Sequence, residues 1–387
     1  MTSDLMKKSF GSQFIVCLAE DWGRLPSSSQ HIMRAFSRKY SILWVDSLGL
    51  RTPSIRKKDL KRMFQKLKRF LAGITEKEPN IYVYSPLVLP YFKNRLARKL
   101  NQFVLTLGLK FFLARKKAKR IILWAACPTA EGLVGRLGEE KSIYYCADEY
   151  SEFTGYSKKL VKKLEEDLLR KVDLVLVVSD KLYQTKKKLN PNIFLIPHGV
   201  EFEHFSKYNL TSVELPPDIK DVRKPVIGYY GLIRDWIDFE LLQKISERKD
   251  WSLVLIGPVN TDINSIKGIE NVHFLGPKDY GDLPLYLKGF DVCIIPYKLL
   301  EVTINARPLK LFEYLASGKP VVSTPLPSVL PYKGAVRIGT TSEEFIEQIE
   351  KSLQEKDESL KKKRVDSARE NSWENLVVKN LKNLLLD

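Results

Sequence analysis

The chain has 387 residues, too many for one ordinary domain, and its 44% hydrophobic and 11% aromatic content lets each of two domains bury a core. Cys17, Cys127, Cys146 and Cys293 form no CxxC pair, which argues against zinc and redox chemistry and fits reduced core thiols in a cytosolic protein. The formal net charge is +18, and residues 51–120 hold 20 Lys or Arg against 3 Asp or Glu, so a net of +17 is gathered in one window.

Taken in chain order, the apolar run FIVCLA is too short for a signal peptide, and FVLTLGLKFFLA is interrupted by Lys110 and too short to span a bilayer. A soluble or peripheral protein is expected. SQFIVCLAE predicts a strand, SSSQHIMRAFSRKY a helix opened by good capping residues, and SILWVDSLG a second strand. The basic window follows, with the strand NIYVYSPLVLP inside it. RIILWAACP, KSIYYCADE, DLVLVVSD and NIFLIPHGV continue the strands, with LVKKLEEDLLRKV as a helix among them. Residues 208–224 lose this rhythm and read as a linker between a first domain, 1–207, and a second, 225–365. There KPVIGYYG, WSLVLIGP, NVHFLGP, DVCIIPY and KPVVST predict strands separated by helices, and the tail from 366 to 387 reads as helix. Continuous apolar strands alternating with helices predict α/β architecture, two doubly wound parallel sheets facing a cleft.

Within the basic window, Phe, Leu and Met interleave with Lys and Arg at roughly helical spacing. Such a run is either a solvated face or a surface for anionic lipid. Nucleic acid ranks last, because no recognisable nucleic-acid-binding motif accompanies the charge.

Ligands of doubly wound sheets sit beyond the carboxyl ends of the strands, so the residues just after strands carry the information. In GYYGLIRDW, Gly231 permits a tight turn and Arg234 follows it; Gly276, Pro277 and Lys278 end another strand. RPLKLFEYLASG predicts a helix with Pro308 in its first turn, Leu309, Phe312 and Ala316 on the core face, and Gly318 as its left-handed cap. Arg307 and Lys310 flank the start of that helix, where its dipole favours a diphosphate without metal. On the same polar stripe Glu313 either accepts the vicinal hydroxyls of a ribose or pairs with Lys310 one turn away. In the first domain Asp148 either takes a proton from an acceptor hydroxyl or caps a turn. The loop that holds Asp21 and Trp22 and leads to His31 is placed to line an acceptor site. The chain contains no Asp-x-Asp, and His31, His198, His204 and His273 show no metal-ligand spacing, so no metal and no cofactor are expected.

These pieces resemble a known group. IGYYG, LVLIGP, NVHFLG, DVCIIPY and PLKLFEYLASGKPVVST are similar to the donor half of the retaining glycosyltransferases of family four, which have the GT-B fold. IPHGVEFEHF resembles that family's Asn-Gly-Val-Asp signature, with His198 in place of Asn, and Trp373 in NSWENL resembles its C-terminal Ser-Trp. AEDWGRLPSSSQH, VDSLGLRTP and YYCADEYSEF extend the likeness toward a bacterial branch that makes exopolysaccharides and envelope glycans, teichuronic acid transferases among them. Two departures stand out. The family pairs its helix Glu with a second Glu eight positions earlier, where Asn305 stands here, and its Arg and Lys after the strand-end glycine are Leu232 and Ile237.

The resemblance implies a glycosyltransferase taking a nucleoside diphosphate sugar as donor. Gly231, Arg234, Gly276, Pro277, Lys278, Asn305, Arg307, Leu309, Lys310 and Glu313 would bind it. Asp148 would be the base, as in inverting relatives of the xanthan type, and Asp21, Trp22 and His31 would face the acceptor. The tail at 366–387 would return to the first domain. The implied acceptor is a lipid-linked or growing glycan at the inner face of the cytoplasmic membrane, held there through residues 51–120, with no nucleic acid partner. The rival readings are a sugar-nucleotide epimerase on the same fold and a non-catalytic nucleotide- or nucleic-acid-binding protein.

Overall fold

The computed structural model describes residues 12–23, 27–48, 67–89, 94–153, 157–207 and 213–376. Contacts divide the chain into two compact units, Met1–Ile196 and Pro197–Asp387.

The first unit is built on strands β1 (Gln13–Leu18), β2 (Ser41–Val45), β3 (Thr75–Glu78), β4 (Ile81–Tyr84), β5 (Arg120–Ala125), β6 (Lys141–Cys146), β7 (Leu174–Val177) and β8 (Ile193–Leu195). They stand in the order β3-β4-β2-β1-β5-β6-β7-β8, parallel except for the β3–β4 hairpin. Strands β2 and β7 are buried along their whole length, which is why, Ser41 apart, their sequences are unbroken runs of apolar residues. Ser27 caps the Ser28–Phe36 helix by accepting the Gln30 N–H at 3.2 Å, as its sequence predicts. The long Arg95–Arg115 helix, capped by Asn94, turns Asn101, Leu105, Leu109 and Leu113 inward.

In the second unit β9 (Val226–Tyr230), β10 (Ser252–Ile256), β11 (Val272–Gly276), β12 (Val292–Ile295), β13 (Val321–Ser323) and β14 (Arg337–Ile338) form a wholly parallel sheet in the order β11-β10-β9-β12-β13-β14. Gly228 in β9 is required by packing, since a Cβ there would lie 2.1 Å from the Phe290 ring. Among their parallel strands both sheets reverse their order, between β1 and β5 and between β9 and β12. At such switch points a crevice opens beyond the strand ends.

One boundary falls elsewhere than the sequence suggests. Residues 197–207, expected in the first domain, belong to the second unit. Val200 donates its N–H to Asn371 O and accepts from the Trp373 N–H, both at 3.0 Å, and Phe202 and Phe205 enter the second core. A Cβ on Gly199 would lie 2.6 Å from the Trp373 ring, so the His-Gly-Val and Ser-Trp segments are one packed contact. In the expected linker, residues 213–224 include a helical turn, Pro217–Lys220, whose Ile219 joins the second core, while 208–212 lie outside the described residues. Of the tail expected to return at 366–387, the Glu358–Glu370 and Trp373–Leu376 helices group with the second unit, and 377–387 lie outside the described residues. On a smaller scale, Leu309 is only half-buried and Leu311 takes the core position, because the Leu309–Ala316 helix begins after Pro308, its N-cap.

Candidate active site

At the switch point of the second sheet, β9 ends in Tyr230-Gly231. Gly231 has φ +134°, and a Cβ there would come within 2.2 Å of Lys310 Cε. The lysine stem therefore crosses directly over the turn, a close approach that only glycine allows. The Lys310 ammonium lies 5.4 Å from the Tyr229 ring and 5.9 Å from that of Tyr297, within cation–π range. Gly257, at φ +138° after β10, is packed against the same turn, because a Cβ there would lie 1.9 Å from Gly231 O. Gly231 N–H donates to Ile256 O at 2.8 Å and Gly257 N–H to Gly276 O at 2.9 Å, so three adjacent strand ends close with glycines.

The Leu309–Ala316 helix brings Glu313 to this turn. Tyr230 donates its hydroxyl to Glu313 Oε2 at 2.7 Å, and the Tyr230 N–H donates to the Tyr314 hydroxyl at 3.1 Å. Burial, followed by the nearby Glu313 charge, raises the Tyr230 phenol well above its ordinary value and keeps it a donor. Glu313 is half-buried, and the polar stripe Lys310, Glu313, Ser317 is half-buried as a whole. Cation and carboxylate thus sit one helical turn apart against the end of β9, chemistry suited to a phosphate and a vicinal diol.

The other expected donor residues are more deeply engaged with protein. Arg307 donates to the Tyr332 hydroxyl at 2.7 Å and to Asn371 Oδ1 at 3.0 Å, and its guanidinium lies over Phe312 at 4.6 Å. This ties the segment before the helix to the tail. Burial and the Arg307 charge hold His198 neutral, down to about 3. Arg234 is buried beside Asp235, 3.3 Å away, and the Trp236 ring. Lys278 pairs with Asp218 at 2.5 Å and lies over Tyr286. Asn305 is buried with its amide on Glu301 O at 2.5 Å and Glu301 Oε2 at 3.3 Å, inside its own short helix. Gly276 has φ +69° with open space where its Cβ would be, leaving room beside Pro277.

In the first unit carboxylates gather at the strand ends. Glu20 follows β1, Asp46 follows β2 and Asp148 follows β6. Glu20 accepts from the Ser27 hydroxyl and, at 3.3 Å, from Gln30 Nε2. Asp46 accepts the Trp22 N–H at 2.9 Å and the Ser85 hydroxyl, with Arg69 at 3.7 Å. Burial raises both carboxyls. Among the described residues no hydrogen bond or ion pair reaches the Asp148 carboxylate. Burial first, then the charges of Glu20 and Glu149, push it up to about 7. Its neighbour Glu149 is taken by Lys186 at 2.7 Å, and Lys186 also holds buried Glu165 at 2.6 Å.

Trp22 packs edge-on against Trp44 at 4.8 Å, with the Arg34 guanidinium over it at 5.2 Å. Asp21 and His31 are half-buried in the same stretch. Sequence reasoning passed over Glu20, one residue from Asp21 in the AED run, and over Gly257 and Tyr230. Their signal was present, since each stands at a strand's carboxyl end.

Comparison with known proteins gives the family and the fold. The family described as "Glycosyl transferases group 1" matches residues 224–355, the stretch that contains the Gly231–Lys310–Glu313 site. TuaH of Bacillus subtilis (strain 168), provisionally named a teichuronic acid biosynthesis glycosyltransferase, is 30% identical over 285 residues, covering 67% of this chain and 70% of its own. The chain belongs to the group 1 glycosyltransferases. This glycosyltransferase shares its fold with sucrose-phosphate synthase from Thermosynechococcus elongatus, at TM-score 0.70 and 14% identity over 97% of this chain and 99% of that one. Anabaena HepE in complex with UDP superposes at 0.66 with 12% identity over 97% and 100%. The E. coli trehalose-6-phosphate protein bound with UDP-2-fluoro glucose does so at 0.67 with 11% identity over 96% and 99%. The fold is accordingly GT-B, two parallel α/β domains.

Proposed function

We propose that this glycosyltransferase moves a sugar from a nucleoside diphosphate donor to a hydroxyl of a lipid-linked or growing cell-envelope glycan, without a metal ion or cofactor. The observation that carries the donor side is the Gly231 turn crossed by Lys310 and flanked by Glu313. Glu313 accepts the ribose hydroxyls, Lys310 and the start of its helix take the diphosphate, and the open side of Gly276 and Pro277 receives the base. Asp148 removes the acceptor proton as the acceptor oxygen bonds to the anomeric carbon. The bond from that carbon to the diphosphate oxygen breaks, and the departing charge falls on Lys310.

The likeness to TuaH supports an envelope polymer as product, and UDP is the first nucleotide to try because HepE binds it. The basic window 51–120 supports residence at the cytoplasmic face of an anionic membrane. No helix among the described residues is long and apolar enough to cross one.

The test is a thermal-shift panel of UDP, GDP, CDP, ADP and dTDP, followed by transfer assays with and without chelator. One nucleotide should stabilise the protein by about 2.7 kcal/mol at a hundred times its dissociation constant. Chelator should leave transfer unchanged; a strict requirement for magnesium or manganese, or binding with no turnover of any nucleotide sugar, would overturn the proposal.

A further inference from the structure

The Arg95–Arg115 helix is apolar on two faces. One carries Leu105, Leu109 and Leu113 into the core of the first unit. The other carries Leu96, Leu100, Phe103, Val104, Leu107 and Phe111, which are 76, 51, 57, 51, 52 and 71% exposed. At about 100° per residue these six fall in one stripe roughly 100° wide, running nearly the whole helix, about 30 Å long. Lys99 and Lys110 border the stripe on one side and Arg115 on the other. Asn101 accepts the Leu89 N–H at 2.8 Å and donates to Leu89 O at 3.0 Å, fastening the 85–89 segment beside the helix. Leu87 and Leu89, 51 and 43% exposed, thereby extend the patch. From residue 79 to residue 130 the sequence contains no Asp or Glu.

A continuous exposed apolar stripe of this size marks a contact surface, and the charge says with what. A second copy of the chain would bring two purely basic borders against each other. An anionic bilayer offers acyl chains to the stripe and phosphates to the border at the same depth. We infer that the Arg95–Arg115 helix lies in the plane of an anionic phospholipid surface and buries its Leu96–Phe111 stripe among the acyl chains. This rests on the membrane residence proposed above and names the element that achieves it. Charge brings the protein to the surface, and the stripe keeps it there.

The experiment is co-sedimentation of the full chain with vesicles of phosphatidylcholine alone or mixed with phosphatidylglycerol. The native protein is compared with Phe103→Ser/Leu107→Ser/Phe111→Ser and with Lys99→Glu/Lys110→Glu/Arg115→Glu. The native chain should bind the mixed vesicles, and each triple variant should lose at least tenfold in partitioning. All three positions in each variant are exposed, so thermal unfolding should be unchanged. In a second measurement Phe111→Trp should add emission that brominated acyl chains quench. Native binding that the serine variant retains, with Phe111→Trp unquenched, would overturn the insertion and leave the membrane residence standing. Failure of the native chain to bind mixed vesicles would overturn both. A native dimer in sedimentation velocity that the serine variant converts to monomer would assign the stripe to self-association and overturn the inference.

Discussion

A carboxyl that ionises near neutrality suits proton abstraction at cellular pH, and Asp148 is one because burial and two carboxylate neighbours oppose its charge. The same opposition is a load on the fold. From an ordinary value of 3.8 the folded group is raised to about 7, so the native state holds the extra proton between those two values and stability declines as pH rises through them. Asp148→Asn should therefore melt higher than the native protein above pH 7, and the two should converge below 3.8. If Asp148 is the base, the same variant should lose about 10²–10⁴-fold in turnover with donor affinity unchanged. Glu20→Gln, which removes one of the opposing charges, should shift the acid limb of the rate profile to lower pH. Normal turnover in Asp148→Asn would leave the group a passive acid. At the donor side Glu313→Gln keeps an acceptor for the Tyr230 hydroxyl but removes the charge that would face a ribose. Calorimetry should show roughly ten- to hundredfold weaker nucleotide binding, as hydrogen bonds to charged groups contribute about 1.5–3 kcal/mol. Unchanged affinity would return Glu313 to a purely structural tie between its helix and β9.

The turn after β9 and the helix bearing Lys310 work as one element. Gly231 is held at a φ that side-chain-bearing residues avoid, and the lysine stem occupies the place of the missing Cβ. Gly231→Ala should lower stability by about 1–3 kcal/mol in denaturant unfolding and displace Lys310, weakening nucleotide binding in parallel. Lys310→Ala should weaken binding with little effect on stability, since among the described residues its ammonium makes ring contacts and no ion pair. Equal nucleotide affinity in Gly231→Ala and the native chain would separate the turn from the site. Much of this was legible beforehand. The helix had its proline start, its glycine cap at φ +72° and its polar stripe in the sequence, and the strands announced burial on both faces by their unbroken apolar runs. Partners from distant segments were not legible. Nothing local in RPLKLFEY reveals that Arg307 is claimed by Tyr332 and Asn371, nor does GPKD reveal that Lys278 is claimed by Asp218. A pattern of cations shows where charge is placed along the chain, while which cation still faces a ligand depends on contacts closed only when the sheet is assembled. Glu20 was hidden for the reverse reason: its neighbours Asp21 and Trp22 looked more chemical, while its weight comes from a charge felt by Asp148, distant in sequence.

On the proposed function, charge across the whole molecule serves two tasks, membrane contact and donor binding. The window 51–120 in the first unit accounts for +17 of the formal +18, so the remaining residues, the second unit among them, sum to near neutrality. Salt should separate the two tasks. Exposed Lys and Arg facing a bilayer interact over distances that counter-ions screen, with a Debye length of about 10 Å at 0.1 M. A diphosphate held against Lys310, whose ammonium lies 5.4 and 5.9 Å from the Tyr229 and Tyr297 rings, would be in short-range contact and screened less. Raising ionic strength should therefore cut transfer to an acceptor embedded in phosphatidylglycerol-containing vesicles steeply. Over the same range the nucleotide dissociation constant, measured by calorimetry without vesicles, should change by only a few-fold. If both decline together, the basic window serves the donor phosphates instead. If transfer to the embedded acceptor does not respond to salt, charge has no part in bringing enzyme and membrane together, and the apolar stripe alone would have to hold the protein there.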